Sequence, residues 1–168
     1  MKHIAIHGAP RSGTTWLGSI FDSSENTAFR HQPLFSYSLK DYLTESSSKD
    51  DVSSFFKKLL NTDDDFILQK KEKSTGLIPK FSKSEITHVV YKEARYHNLL
   101  PCMLKVDKDI KIICIIRNPK SVIYSWINAP KEFDKINWDI DEEWREAPSK
   151  NKGLKSEYFG YTKWKEST

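Results

Sequence analysis

HIAIHGAPRSGTTWLGSIFD, residues 3–22, is the stretch that decides the fold. Its first five residues (HIAIH) form a short apolar, β-branched run that stops at Gly8, the pattern of a buried strand entering a loop. Residues 14–22 then place Trp16, Leu17, Ile20 and Phe21 at the spacing of one helical face. Between them lies Gly8-Ala9-Pro10-Arg11-Ser12-Gly13-Thr14-Thr15, with the G-x-x-x-x-G spacing of a P-loop and a threonine at its hydroxyl position. The glycines let the backbone turn tightly, so several N–H groups converge on one concavity. The following helix adds its unpaired donors and the positive end of its dipole. Anion binding is the expectation, and Arg11 adds a charge-assisted hydrogen bond of roughly 1.5–3 kcal/mol. A nucleoside triphosphatase would carry lysine just before the last Ser/Thr, to reach the β- and γ-phosphates. Here Thr14 fills that slot and the cation sits in the loop at Arg11, so a gripped γ-phosphate is not expected.

Further along, residues 27–30 read as a second strand, leading into HQPLFSY and a helix through about Leu43. A polar, turn-rich ESSSKDDVSS precedes a helix over residues 52–60. NTDDDF has helix-start chemistry, and KKEKSTGLIPKFSKS reads as an exposed loop. THVVY (87–91) is a strand candidate, followed by a short helix over residues 97–105. IKIICII (110–116) is the most apolar strand candidate; Arg117-Asn118-Pro119 ends it, with Pro119 placed to start a helix over residues 120–127. The tail from Asn137, rich in Trp and charge, includes a helix across residues 154–166. Runs apolar on both faces, alternating with helices, give an α/β protein whose central parallel sheet is covered on both sides.

Composition narrows the function. At 168 residues and 38% hydrophobic, the chain is one globular domain rather than a disordered segment. A net charge of +4 suits anionic small molecules, and no clustered basic stripe argues for nucleic acid. Cys102 and Cys114 lie among apolar neighbours and read as buried thiols, not as a disulfide or metal set. No His/Cys/Asp cluster suggests a metal. No apolar run approaches the roughly 20 residues of a membrane helix, and MKHIAIHG is too short and interrupted for a secretory leader. A reduced, cytoplasmic, soluble protein is expected. The chain stops at Trp164-Lys165-Glu166 without a helix stop signal, so residues 1–168 read as a single domain lacking its C-terminal part.

A second constellation joins the loop. Arg117 follows the apolar strand, and Ser125 lies eight residues on, two turns along the next helix. Both can face one side at the carboxyl ends of neighbouring strands, where open α/β sheets bind ligands, and hold a second phosphate. Pro10-Arg11-Ser12-Gly13-Thr14-Thr15-Trp16-Leu17 is similar to the 5′-phosphosulfate loop of sulfotransferases, and Arg117-Asn118-Pro119-Lys120-Ser121-Val122-Ile123-Tyr124-Ser125 resembles their 3′-phosphate segment. The resemblance implies a P-loop NTPase-like three-layer sandwich and, as co-substrate, 3′-phosphoadenosine 5′-phosphosulfate, with no metal. Arg11, Ser12, Gly13, Thr14 and Thr15 would cradle the 5′-phosphosulfate, Trp16 would lie near the adenine or else in the core, and Arg117 and Ser125 would hold the 3′-phosphate.

Sulfuryl transfer is an in-line displacement, so the protein's work is positioning and charge stabilisation, with Arg11 suited to the leaving phosphate. An acceptor hydroxyl or amine, on a small molecule or carbohydrate, also needs a base. In carbohydrate-acting members a Glu often precedes the proline of the first candidate region; this chain has Gln32 before Pro33, which moves attention to His31, whose ordinary pKa suits a base near neutrality. The second candidate region offers Lys92 as a cation for the sulfuryl oxygens and Glu93 as the rival base; the histidine of soluble eukaryotic members would fall near Ala94. His3 and His7 flank a buried strand and read as structural, and His88 and His97 have no motif around them. Phe35, Tyr37, Trp138 and Trp144 are candidates for an acceptor pocket or for core. The rival functions are a nucleotide kinase, which would need a lysine at position 14, and a non-catalytic nucleotide-binding module.

Overall fold

A computed structural model describes residues 1–152, 159–166 and 168. The chain divides into two compact units, one of residues 1–7 and 15–114, the other of residues 8–14 and 115–168.

The first unit is built on four strands, β1 (Lys2–His7), β2 (Thr27–His31), β3 (His88–Glu93) and β4 (Lys111–Cys114), all parallel in the order β2-β3-β1-β4. Helix α1 (Thr14–Ser23) follows β1, and a 3₁₀ turn (Pro33–Phe35) follows β2. Between β2 and β3 lie α2 (Lys49–Asn61), α3 (Asp65–Leu68) and α4 (Lys70–Ser74). A 3₁₀ turn (His97–Leu99) and α5 (Leu100–Val106) lead to β4.

Alternation along the strands assigns the faces. Ala5, Val89 and Tyr91 look to one side and bury against Val52, Phe55, Phe56 and Leu59 of α2 and Met103 of α5. His3 stacks flat on Phe56 with ring centroids 4.0 Å apart. Arg30, on the same side of β2, donates from Nε to Leu59 O and from Nη2 to Leu60 O, so its guanidinium caps the end of α2. Phe29 takes the opposite face, against α1: a Cβ added to Gly18 would come within 2.4 Å of the Phe29 ring. Helices therefore cover both faces of the sheet, giving the three layers expected. The helix leaving β1 lies on one face and the helix leaving β3 on the other. The carboxyl ends of β1 and β3 thus form a switch point, where His7 and Glu93 are register partners.

The second unit holds α6 (Pro119–Ile127), α7 (Ile140–Glu146), α8 (Pro148–Asn151) and α9 (Tyr161–Glu166). Trp126, Phe133, Ala147 and Phe159 form its core, with Trp126 edge-on to Phe133 at 5.2 Å. Asn118 starts α6 by accepting from the amides of Lys120 and Ser121, ahead of Pro119 in the first turn.

Several expectations need correction. No helix reaches Leu43; after Phe35 the chain turns. There the Ser36 hydroxyl donates to Pro33 O and accepts from the Leu39 amide, diverting the backbone from a helical ladder. The most apolar run yields a strand of only four residues, β4, at the sheet edge. Part of the expected loop after Gln69 is helical as α4. Cys114 is exposed, not buried. Lys92 and Glu93 close strand β3 itself rather than follow it. Of the helix expected over residues 154–166, Tyr161–Glu166 is helical, and residues 154–158 lie outside the described residues. Among the described residues no helix is long and apolar enough to cross a membrane.

Candidate functional site

The second unit brings the loop and the Arg117 segment together. Ser12 N donates to Ala9 O at 3.1 Å, closing the turn, and Gly13 carries it through at φ 105°, a conformation open to glycine at little cost. Gly8 has no room for a side chain, since a Cβ there would lie 2.7 Å from both Ile115 O and Ser12 Oγ. Arg11 adopts a left-handed φ of 70°, uncommon for a non-glycine residue and frequent at functional loops. Two contacts hold it. Arg117 donates from Nη1 to the Arg11 carbonyl at 3.1 Å, and Arg11 donates from Nε to Ser125 Oγ at 3.2 Å. Both arginines are exposed, and neither forms an ion pair among the described residues, so their charge is uncompensated by carboxylates.

Ser12 and Thr14 are buried, and the Ser12 hydroxyl has no hydrogen-bond partner. A buried hydroxyl without a partner inside a glycine-rich turn, in a segment with two arginines that no carboxylate neutralises among the described residues, suits an anion. Thr15 and Trp16, the first residues of the chain's return to the first unit, are exposed; with 71% of its surface accessible, Trp16 is not core.

The first unit carries the titratable candidates at the ends of its strands. Glu93 is completely buried. Its Oε1 accepts from the Leu34 amide at 2.9 Å, while Oε2 has no partner. Burial raises its pKa above the usual carboxylate range, against the smaller opposing pulls of the Leu34 amide, Lys92 and Arg95. Lys92, its neighbour on the other face of the strand, is nearly as buried, and desolvation lowers its pKa. His31 departs from the near-neutral base expected. Burial, with Lys92 nearby, pushes its pKa down to about 3. Its Nε2 lies 3.2 Å from the Gln32 side-chain amide, and its Nδ1 is buried without a hydrogen-bond partner.

A further set of side chains was illegible in the sequence. His7, fully buried, approaches His97 Nδ1 through Nδ1 at 3.1 Å and the Tyr91 hydroxyl through Nε2 at 3.2 Å; Tyr91 in turn donates to Met103 Sδ at 3.4 Å. One proton serves the two facing Nδ1 atoms. If Tyr91 donates to sulfur, His7 donates from Nε2, His97 donates from Nδ1, and three bonds form with only the His97 Nε2 lone pair unmet. The reverse order makes two bonds and strands an N–H, the costlier orphan. The first arrangement is favoured. Burial holds His7 down to about 3 and lowers His97, so both are neutral. His7 and His97 stand 90 positions apart, and no local pattern links them. Of the expected acceptor aromatics, Phe35 and Tyr37 are exposed in the first unit, whereas Trp138 packs on the core of the second unit.

A covered parallel sheet of order β2-β3-β1-β4, with a glycine-rich turn after β1 and two arginines meeting at that turn, defines an α/β protein of the phosphate-loop type. The family model of the sulfotransferase domain matches residues 1–166, and the chain belongs to that family, whose common chemistry is sulfuryl transfer. A search of curated proteins finds no match to this chain.

Proposed function

We propose that this chain transfers a sulfuryl group from 3′-phosphoadenosine 5′-phosphosulfate to a hydroxyl or amine of a small-molecule or carbohydrate acceptor. The observation that carries the donor assignment is the hydrogen-bonded cluster of Arg11, Arg117 and Ser125, drawn from segments more than a hundred positions apart. In this reading Arg11, Ser12, Gly13, Thr14 and Thr15 take the 5′-phosphosulfate, Arg117 and Ser125 the 3′-phosphate, and exposed Trp16 the adenine face. Nothing in the cluster calls for the lysine of a triphosphatase.

For the acceptor side, Glu93 is the favoured base, because burial raises its affinity for a proton and its Oε2 carries an unused lone pair. The acceptor oxygen or nitrogen attacks sulfur as the bond from sulfur to the phosphate oxygen breaks in line. The acceptor proton goes to the Glu93 carboxylate, and 3′-phosphoadenosine 5′-phosphate leaves. Lys92 supplies positive charge near the sulfuryl oxygens, and His31 is the rival base, disfavoured because burial lowers its affinity for a proton. Calorimetric titration with 3′-phosphoadenosine 5′-phosphate tests the donor assignment: the wild type binds it more tightly than ATP with magnesium, and Arg11→Ala and Arg117→Ala each weaken it. Equal affinity for ATP would assign the kinase instead. Binding without transfer to any hydroxyl or amine acceptor would leave a binding module.

A further inference from the structure

The indole of Trp164, in α9, donates from Nε1 to the carbonyl oxygen of Arg117 at 3.0 Å. An indole N–H has no other use, being donor only, and a half-buried one normally finds a partner. Here the partner is the backbone of the very residue whose guanidinium holds the Arg11 carbonyl. Arg117 is thus fixed at both ends, its own carbonyl by Trp164 and its side chain by the loop. Trp164 is itself braced: its ring stacks on Tyr161 at 5.8 Å and 17°, Tyr161 lies 6.0 Å from Trp144 of α7, and the indole lines a small hollow with Ala9 and Pro10 of the loop. An unbroken line of contacts therefore runs from α7 through Tyr161, Trp164 and Arg117 to the strained backbone of Arg11.

We propose that Trp164 is a positioning residue for the donor site, holding the Arg117 backbone so that its guanidinium meets the anionic donor, and that α9 consequently senses donor binding. This rests on the donor reading above. A ligand phosphate competes with the Arg11 carbonyl for the Arg117 guanidinium; when it engages, the Arg117 backbone shifts and the indole follows.

Trp164→Phe keeps an aromatic ring and deletes the N–H. Loss of one positioning hydrogen bond predicts about 3–10-fold weaker binding of 3′-phosphoadenosine 5′-phosphate, with the ligand-free variant melting within a few degrees of wild type. In ¹⁵N-labelled wild type, the Trp164 indole resonance, assigned by its disappearance in Trp164→Phe, moves as this nucleotide is titrated in. Binding by Trp164→Phe within twofold of wild type would overturn the proposal. Should that variant fail to fold, all five indole resonances of the wild type staying fixed at nucleotide saturation would overturn it equally. Arg11→Ala separates the two readings. A weakened Arg11→Ala beside an unaffected Trp164→Phe removes only the role of Trp164, whereas a wild type that ignores the nucleotide removes the donor reading and this inference together.

Discussion

Arg11 donates from Nε to the hydroxyl of Ser125, 114 positions later, at 3.2 Å. In the proposed donor site, the cation for one end of the donor and the hydroxyl for the other are therefore joined by a hydrogen bond. Arg11→Ala should weaken nucleotide binding roughly 10–100-fold, as expected for a charge-assisted contact, and Ser125→Ala roughly 3–10-fold. Because the two side chains share a bond, the double variant should depart from the product of the single losses. Calorimetry on all four proteins reads the coupling directly; strict additivity would mean that the two act independently.

Backbone geometry makes a separate prediction. Gly18→Ala drives a methyl to within 2.4 Å of the buried Phe29 ring, so helix or ring must move, at a cost of about 1–3 kcal/mol. Gly13→Ala meets no atom within 4 Å but must hold φ near 105°, a strain of about 1–3 kcal/mol placed in the loop itself. Urea midpoints should fall for both, while nucleotide affinity falls mainly for Gly13→Ala.

Acid should loosen the fold well before carboxylates titrate. His7 and His31 are held neutral down to about pH 3, whereas in the unfolded chain they take up protons from their ordinary value near 6.5. Between those limits the unfolded state binds more protons, so stability falls as pH drops from 6.5 toward 3. Each histidine removes about 2 kcal/mol by pH 5. Urea midpoints at pH 7.5, 6 and 5 should show this decline, with a shallower slope in His31→Asn.

Glu93 acts in the opposite direction. Its folded pKa is raised, so stability is lost as pH climbs from the ordinary carboxylate range to the raised value, where a buried charge must form. Glu93→Gln keeps an acceptor for the Leu34 amide and removes that charge. The variant should lose less stability than wild type between pH 5 and pH 8 and should have no transferase activity. A pH dependence of stability identical to wild type would show that Glu93 is already ionised in the folded protein across that interval, as it is in the unfolded chain.

What could be read from the sequence was what local pattern encodes. β1, α1, β2, β3, α2 and α6 announce themselves by apolar period, Gly8 and Pro119, because each buries one run against a neighbour. The segment after Phe35 did not, because a single hydroxyl, Ser36, rewired its hydrogen bonds. α4 was hidden by its lysines, which look like loop until Lys73 pairs with Asp22 of α1 at 2.9 Å. Within the site, residue types at fixed spacing pointed to Arg11, Arg117 and Ser125. The state of His31 could not be read, since a pKa depends on burial that only the fold supplies. The His7–His97 contact and the Trp164 indole bond join residues with no motif between them, and only folding brings them together.

The loop of residues 8–14 belongs to the same compact unit as residues 115–168, not to the strand that leads into it. During synthesis it must wait: the ribosome delivers its glycines early and Arg117 about a hundred residues later. At several to twenty residues per second, that is a gap of seconds. Through that interval the strained turn at Arg11 lacks the guanidinium that holds its carbonyl, so a loop among the first parts of the chain to be made completes its hydrogen bonds only once Arg117 has followed.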